Sequence, residues 1–207
     1  MTRESGSAAK SSLAALFPSM AMARLVIFFA VQPGARYHLR ELSRVTGLAS
    51  ASLQHELKRL TQIGALRREE DGGRAYYSAN ESHPAWYAWF LLLRAGARPA
   101  DVLREALVGA PDLEAAFVFG SSARGDARPD SDIDVFLIGS DRARTEAGRR
   151  LVEAELLVGR DVDVIGYAPD QLADRIRSNN GFVHRVLAEP REWVRGSLDL
   201  DGLLERA

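Results

Sequence analysis

Residues 119–135 read FGSSARGDARPDSDIDV and follow the apolar run LEAAFV at 113–118. An apolar run that ends in glycine predicts a strand stopping at Phe119. Gly120-Ser121 then opens a loop or a helix N-terminus. Free backbone N–H groups and a hydroxyl there suit phosphate oxygens, and Gly120 lets the backbone come close to a ligand. After a short polar loop the chain re-enters a strand at Ser131-Asp132-Ile133-Asp134-Val135.

Residues i and i+2 of a strand share a face, so Asp132 and Asp134 are expected to project together while Ile133 and Val135 face the core. Two like charges held so close repel, and a divalent cation removes the conflict. Oxygen-only ligands suit Mg²⁺ or Mn²⁺, completed by substrate phosphates. A third carboxylate stands in RDVDVIGY at 160–167. Asp163 lies between Val162 and Val164, which are expected to be buried, so it should face the side of Asp132 and Asp134 if the strands are adjacent. Asp161 shares that face, and Asp163 lies deeper in the strand.

The stretch GSSARGDARPDSDIDV resembles the signature of the DNA polymerase beta-like nucleotidyltransferase superfamily, and in particular its small MNT-type (minimal nucleotidyltransferase) members. The resemblance covers roughly residues 100–196. It implies that Gly120 and Ser121, with Ser122 beside them, hold a nucleoside triphosphate. It implies further that Asp132 and Asp134 bind metal, that Asp163 completes the triad, and that Arg124 contacts phosphate or braces the loop. The implied reaction transfers a nucleoside monophosphate, AMP from ATP, to a protein or small-molecule acceptor and releases pyrophosphate. The implied cofactor is Mg²⁺ or Mn²⁺, and an MNT-type antitoxin paired with a HEPN-type toxin is the implied setting.

The first half has a different pattern. Ser19 is a plausible N-cap for an apolar helix that Pro33-Gly34 ends. In YHLRELSRVTGL, Leu39, Leu42 and Val45 recur at helical spacing and Thr46-Gly47 closes the helix. Ser50 is a candidate cap for a second helix with Leu53, Leu57 and Leu60 on one face. The stretch ALRREEDGGRAYYSAN at 65–80 reads as a hairpin turning at Asp71-Gly72-Gly73. Helix, helix–turn–helix and hairpin resemble an ArsR-like winged helix-turn-helix module across about residues 19–80. Double-stranded DNA is then the expected partner. Ser50, Ser52, Gln54, His55, Lys58 and Arg59 would lie on the outward face of the second helix, and Arg67, Arg68 and Arg74 on the wing. Glu69, Glu70 and Asp71 oppose that electrostatic case. Winged helices also serve as interaction units, and a homodimer is expected because such modules read paired half-sites.

Composition bounds these readings. The chain has 207 residues, 46% hydrophobic and 27% charged, with no cysteine, so it can bury a core and excludes disulfides and thiol chemistry. Residues 1–97 carry 12 Lys and Arg against 7 Asp and Glu, a net of +5; residues 98–207 carry 15 against 21, a net of −6. That asymmetry points to two tasks. The expected fold class is α+β: a small polar tail at 1–12, a winged helix-turn-helix domain at 13–97, and at 98–207 a nucleotidyltransferase domain with a small mixed sheet flanked by helices. No apolar run approaches the ~20 residues a membrane span needs, and no secretory leader is evident, so a cytoplasmic location is expected. The four histidines show no metal-ligand spacing and read as surface or helix-end residues. Trp86, Tyr87, Trp89 and Phe90 read as core or dimer interface. One alternative is a transcriptional regulator whose nucleotidyltransferase domain only binds nucleotide. Another is an enzyme of the aminoglycoside-modifying type, against which stands the lack of an evident C-terminal helical substrate domain.

Overall fold

The computed structural model describes residues 11–128, 130–197 and 199. A one-turn helix α1 (Leu13–Leu16) leads into α2 (Met20–Ala30), whose Ser19 N-cap accepts the Met22 N–H. Then come β1 (Arg36–His38), α3 (Leu39–Thr46) and α4 (Ser50–Gln62). The hairpin β2 (Leu66–Asp71) and β3 (Arg74–Ala79) precedes α5 (Pro84–Gly96). β3 is central in an antiparallel sheet of order β1-β3-β2. Gly72 and Gly73 both take positive φ, 55° and 72°, as a two-residue hairpin turn requires.

The second half begins at α6 (Pro99–Ala106) and continues through β4 (Leu113–Val118), α7 (Gly120–Arg124), β5 (Ile133–Gly139) and α8 (Asp141–Val158). It closes with β6 (Val162–Tyr167), α9 (Pro169–Arg177), α10 (Gly181–Ala188) and β7 (Glu192–Arg195). The sheet order is β6-β5-β4-β7, with β5 and β6 parallel and the other pairs antiparallel. Both faces are covered. Ala116, Val118, Ile133, Val135 and Leu137 join α6 and α8 in the large core, while Phe117, Phe136 and Ile138 meet Leu172, Val183 and Val186 of α9 and α10. No helix among the described residues is long and apolar enough to cross a membrane.

The large core runs without a break from α1 and α2 into α6, α8 and the second sheet. The polar contacts along this seam are specific. Arg24 of α2 forms a two-pronged ion pair with Glu105 of α6, at 2.6 and 3.1 Å, and donates to the Thr46 carbonyl at 3.0 Å. Arg149 of α8 donates to the Val31 carbonyl and to Gln32. Gly109 has φ +71°, and a Cβ there would lie 2.5 Å from the Val45 carbonyl oxygen, so backbone meets backbone across the seam.

Four local expectations are corrected. Residues 36–38 form a strand, not the start of a helix, and His38 ends it as N-cap of α3 by accepting the Glu41 N–H. The cap of α4 is Ala49, with no side-chain bond; Ser50 lies inside the helix, where it accepts from Gln54. The buried face of α4 also includes Glu56, 3% exposed, which accepts from Ser19 and pairs with Arg59. Val164 is exposed, because β6 is the edge strand of its sheet.

Arg24→Ala leaves the Glu105 carboxylate buried without its cation. It is expected to cost about 2–3 kcal/mol, below the full buried-pair value because Arg24 keeps partial solvent access. Urea unfolding measures this, and Arg24→Ala/Glu105→Leu should recover more than half of the loss.

Candidate active site

The site forms where β4 ends beside the start of β5. The Phe119 N–H donates to the Asp134 carbonyl at 3.0 Å, which continues the ladder one residue past β4. The chain then turns sharply at Gly120, φ +67°, into α7. A Cβ on Gly120 would collide with the Asp134 carboxylate, so glycine is required both by backbone conformation and by the closeness of that side chain.

Parallel register does the rest. Asp134 is the direct partner of Asp163, so the two carboxylates stand side by side on one face. That face is the one carrying Phe136 and Ile138, which α9 and α10 cover further along the strand. Asp132 lies one residue ahead of β5 and not on it as expected, and Asp161 lies just ahead of β6, its carbonyl accepting the Ile133 N–H at 2.9 Å. Asp132 and Asp163 are exposed and Asp134 is half-buried.

Burial pushes the Asp134 carboxyl above its ordinary value, and the charges of Asp163 and Asp132 push it further. Arg124 and Arg160 offset part of this. Asp134 is thus a carboxylate short of positive charge in an oxygen-only donor set. Among the described residues no three acidic or histidine side chains already converge as a metal cage. The neighbouring carboxylates of Asp134 and Asp163 are the oxygen ligands that Mg²⁺ or Mn²⁺ takes together with waters and substrate phosphates.

Around α7 the sequence-chosen residues divide. The Ser121 hydroxyl has no partner among the described residues, and the Ser121 carbonyl accepts the N–H groups of Gly125 and Asp126. The Ser122 hydroxyl instead accepts from Arg160 at 3.0 Å. Arg124 pairs with Asp126 at 3.3 Å and Glu189 at 2.9 Å, tying α7 to the end of α10.

Arg160 is the residue that sequence reasoning missed. Its guanidinium donates to the Ser131 carbonyl, to the Asp132 carbonyl and to Ser122. One side chain from the turn before β6 therefore clamps both α7 and the approach to β5. The available signal was an arginine directly preceding Asp161-Val162-Asp163 in an acidic half.

In the first half, Ser50, Ser52, Gln54, His55 and Lys58 are exposed along α4, and Arg59 is partly covered by its pair with Glu56. Arg67, Arg68 and Arg74 are exposed on the hairpin, with Arg67 donating to Asn80 and Arg68 paired to Glu70. His38 and His83 cap α3 and α5, as helix-end residues should. The aromatic cluster splits: Trp86 is buried, whereas Tyr87 is 68% exposed.

Residues 102–185, from α6 into α10, match the family model described as "Polymerase beta, Nucleotidyltransferase". Over these residues the chain is similar to nucleotidyltransferase domains of the polymerase beta type, and the match supports nucleotidyltransferase activity. No curated protein matches the chain. Two solved structures do. One is a toxin-antitoxin with AMP-PNP, 21% identical, covering 49% of this chain and 77% of that chain with a TM-score of 0.34. The other is a mutant of the toxin-antitoxin MntA-HpeT, 18% identical, covering 52% and 82%, with a TM-score of 0.35. At these TM-scores the overlays share too little geometry to assign residue roles.

The raised value at Asp134 makes the native state hold its proton more tightly than the unfolded chain does. Its contribution to stability therefore falls as pH rises through the interval from the unfolded value to the raised folded value. Asp134→Asn should be more stable than wild type at pH 7 in the absence of divalent ions, and the gain should vanish at pH values below the ordinary carboxylate range. Thermal unfolding across pH 3–8 checks the sign.

Proposed function

We propose that the chain transfers AMP from ATP to a protein acceptor, and that its first half is a winged helix-turn-helix module that binds double-stranded DNA. The observation that carries the catalytic reading is the alignment of Asp134 with Asp163, with the Gly120 turn packed directly on Asp134. That arrangement sets an open Gly-Ser turn beside a paired-carboxylate edge, as nucleotidyl transfer needs.

In this reading the Ser121 hydroxyl and the backbone at Gly120 hold triphosphate oxygens. Asp132, Asp134 and Asp163 would hold Mg²⁺ or Mn²⁺, which when bound neutralises triphosphate charge. The acceptor oxygen bonds to the α-phosphorus as the bond to the bridging oxygen breaks, and pyrophosphate departs with that oxygen. Asp163, the more exposed of the strand pair, would lie on the acceptor side and either complete that metal site or take the acceptor proton. Arg160 fixes α7, which carries Ser122, and the approach to β5, which carries Asp132, so the chain contributes mainly position and charge.

The resemblance to MNT-type proteins supports a protein acceptor, with the chain acting as the antitoxin of a toxin pair. The DNA reading is supported by the exposed polar row of α4 and by the arginines of the hairpin. Arg74 and Lys58 make no ion pair among the described residues, whereas Arg68 is neutralised by Glu70 and Arg36 by Asp71. A homodimer would present two such modules to paired half-sites.

Purified protein with Mg²⁺, each of four labelled nucleoside triphosphates and a cell lysate should label a protein band from ATP. Asp132→Asn/Asp134→Asn should reduce labelling by at least about 100-fold. Absence of transfer from wild type, with nucleotide still bound, overturns the enzyme reading in favour of a nucleotide-sensing regulator.

DNA binding has its own check. Arg67→Ala/Arg68→Ala/Arg74→Ala should weaken binding to all duplexes alike and reduce the slope of log K against log salt by roughly two to three. Mobility shifts at several salt concentrations measure this.

A further inference from the structure

A solvent-open groove of about 560 Å³ lies on the seam between the two halves. One wall carries Gln32, Tyr37 and Arg44; the other carries Arg142, Glu146 and Arg150 of α8. It opens beyond the Gly139 end of β5, whereas Asp134 marks the other end of that strand. The volume is that of a mononucleotide-sized ligand site.

Three features of its lining bear on its chemistry. Gln32 is 8% exposed, and its amide nitrogen is buried with no hydrogen-bond partner. Its amide oxygen accepts from Arg149 at 3.0 Å and from the Tyr37 hydroxyl at 3.3 Å. Those donors fix the amide orientation, so the unsatisfied group is a donor enclosed behind the groove wall. Arg44 and Arg142 make no ion pair or hydrogen bond among the described residues. Glu146 is occupied by Arg149 and Arg150, whose pairing lowers its carboxyl to about 2. The lining thus has three guanidinium groups against one carboxylate; Arg150 is held by Glu146 and by the Val108 and Gly109 carbonyls, which leaves Arg44 and Arg142 open to a ligand.

We propose that this groove is a binding site for a phosphate monoester of mononucleotide size. A dianion matches the excess of two positive charges, and planar guanidinium groups match phosphate oxygens. Val45 and Pro111 supply apolar contact for the rest of the ligand. A ligand seated there touches α3 of the first half and α8 of the second, so it braces the seam.

The test is calorimetric titration of the full chain in EDTA with AMP, with inorganic phosphate and, separately, with a short DNA duplex. AMP should bind once per chain. Arg44→Glu/Arg142→Glu should weaken it at least tenfold, while Asp132→Asn/Asp134→Asn leaves it unchanged. Phosphate binding with the same arginine dependence also supports the site and names free phosphate as a source. Thr145→Trp, at an exposed α8 position lining the groove, should block binding without altering charge and serves if the double arginine variant does not fold. The proposal is overturned by no AMP or phosphate binding at millimolar concentration, or by binding that the arginine variant keeps. A response to duplex alone also overturns it, because Arg44 and Arg142 would then belong to a nucleic-acid face.

Discussion

Parallel pairing of β5 with β6 is the constraint on which both the site and the architecture rest. Parallel neighbours cannot be joined by a tight turn and require a crossover, here the 18 residues of α8. The register that aligns Asp134 with Asp163 is enforced by burial, because Val135 and Leu137 must face one core while Phe136 and Ile138 face the other. A slip of one residue would send Asp163 to the opposite face and dissolve the site. The crossover helix then becomes the wall against which α2, α5 and α6 pack. The alignment of the two carboxylates and the joining of the two halves thus follow from one pairing.

The same pairing gathers negative charge that the protein alone does not balance. Asp134 is hemmed by Gly120, half-buried and faced by two further carboxylates. The nearby arginines offset only part of this, since their hydrogen bonds go elsewhere: Arg160 holds two carbonyls and Ser122, and Arg124 holds Asp126 and Glu189. The fold therefore sets aside local stability at the carboxylate edge and secures the loops around it by separate means. Such a division is what a cation-and-phosphate site needs, since charge left uncompensated by the protein is what the ligand compensates.

Much of this was legible in the sequence because the signals were local. The Gly-Ser turn, the Asp-x-Asp spacing and the Gly-Gly hairpin each report on a few adjacent residues. What was not legible depends on partners far along the chain. β1 is three residues long and exists because β3 offers an edge. Glu56 on the buried face of α4 looks like an error of pattern until Ser19 and Arg59 satisfy it. Arg160 is one arginine among many until three acceptors converge on it. Val164 alternates like a buried residue, but the edge position of β6 leaves it in solvent. The groove is still less visible, since its walls come from residues more than a hundred positions apart.

The charge asymmetry between the halves takes on a more specific meaning at the seam. Positive and negative charge are not merely separated along the chain; they are cross-connected. The basic half sends Arg24 to Glu105, and the acidic half sends Arg149 back to Val31 and Gln32. These contacts border a core that continues from Leu25 and Phe28 to Leu103, Leu151 and Val135. Two bodies joined by a flexible tether could respond to their ligands independently. Two bodies sharing one core cannot move apart without exposing it, at about 25 cal/mol for each Å² of apolar surface. Any ligand that strains or relieves this seam must therefore alter both halves together, with the size of the effect set by its differential affinity for the two arrangements.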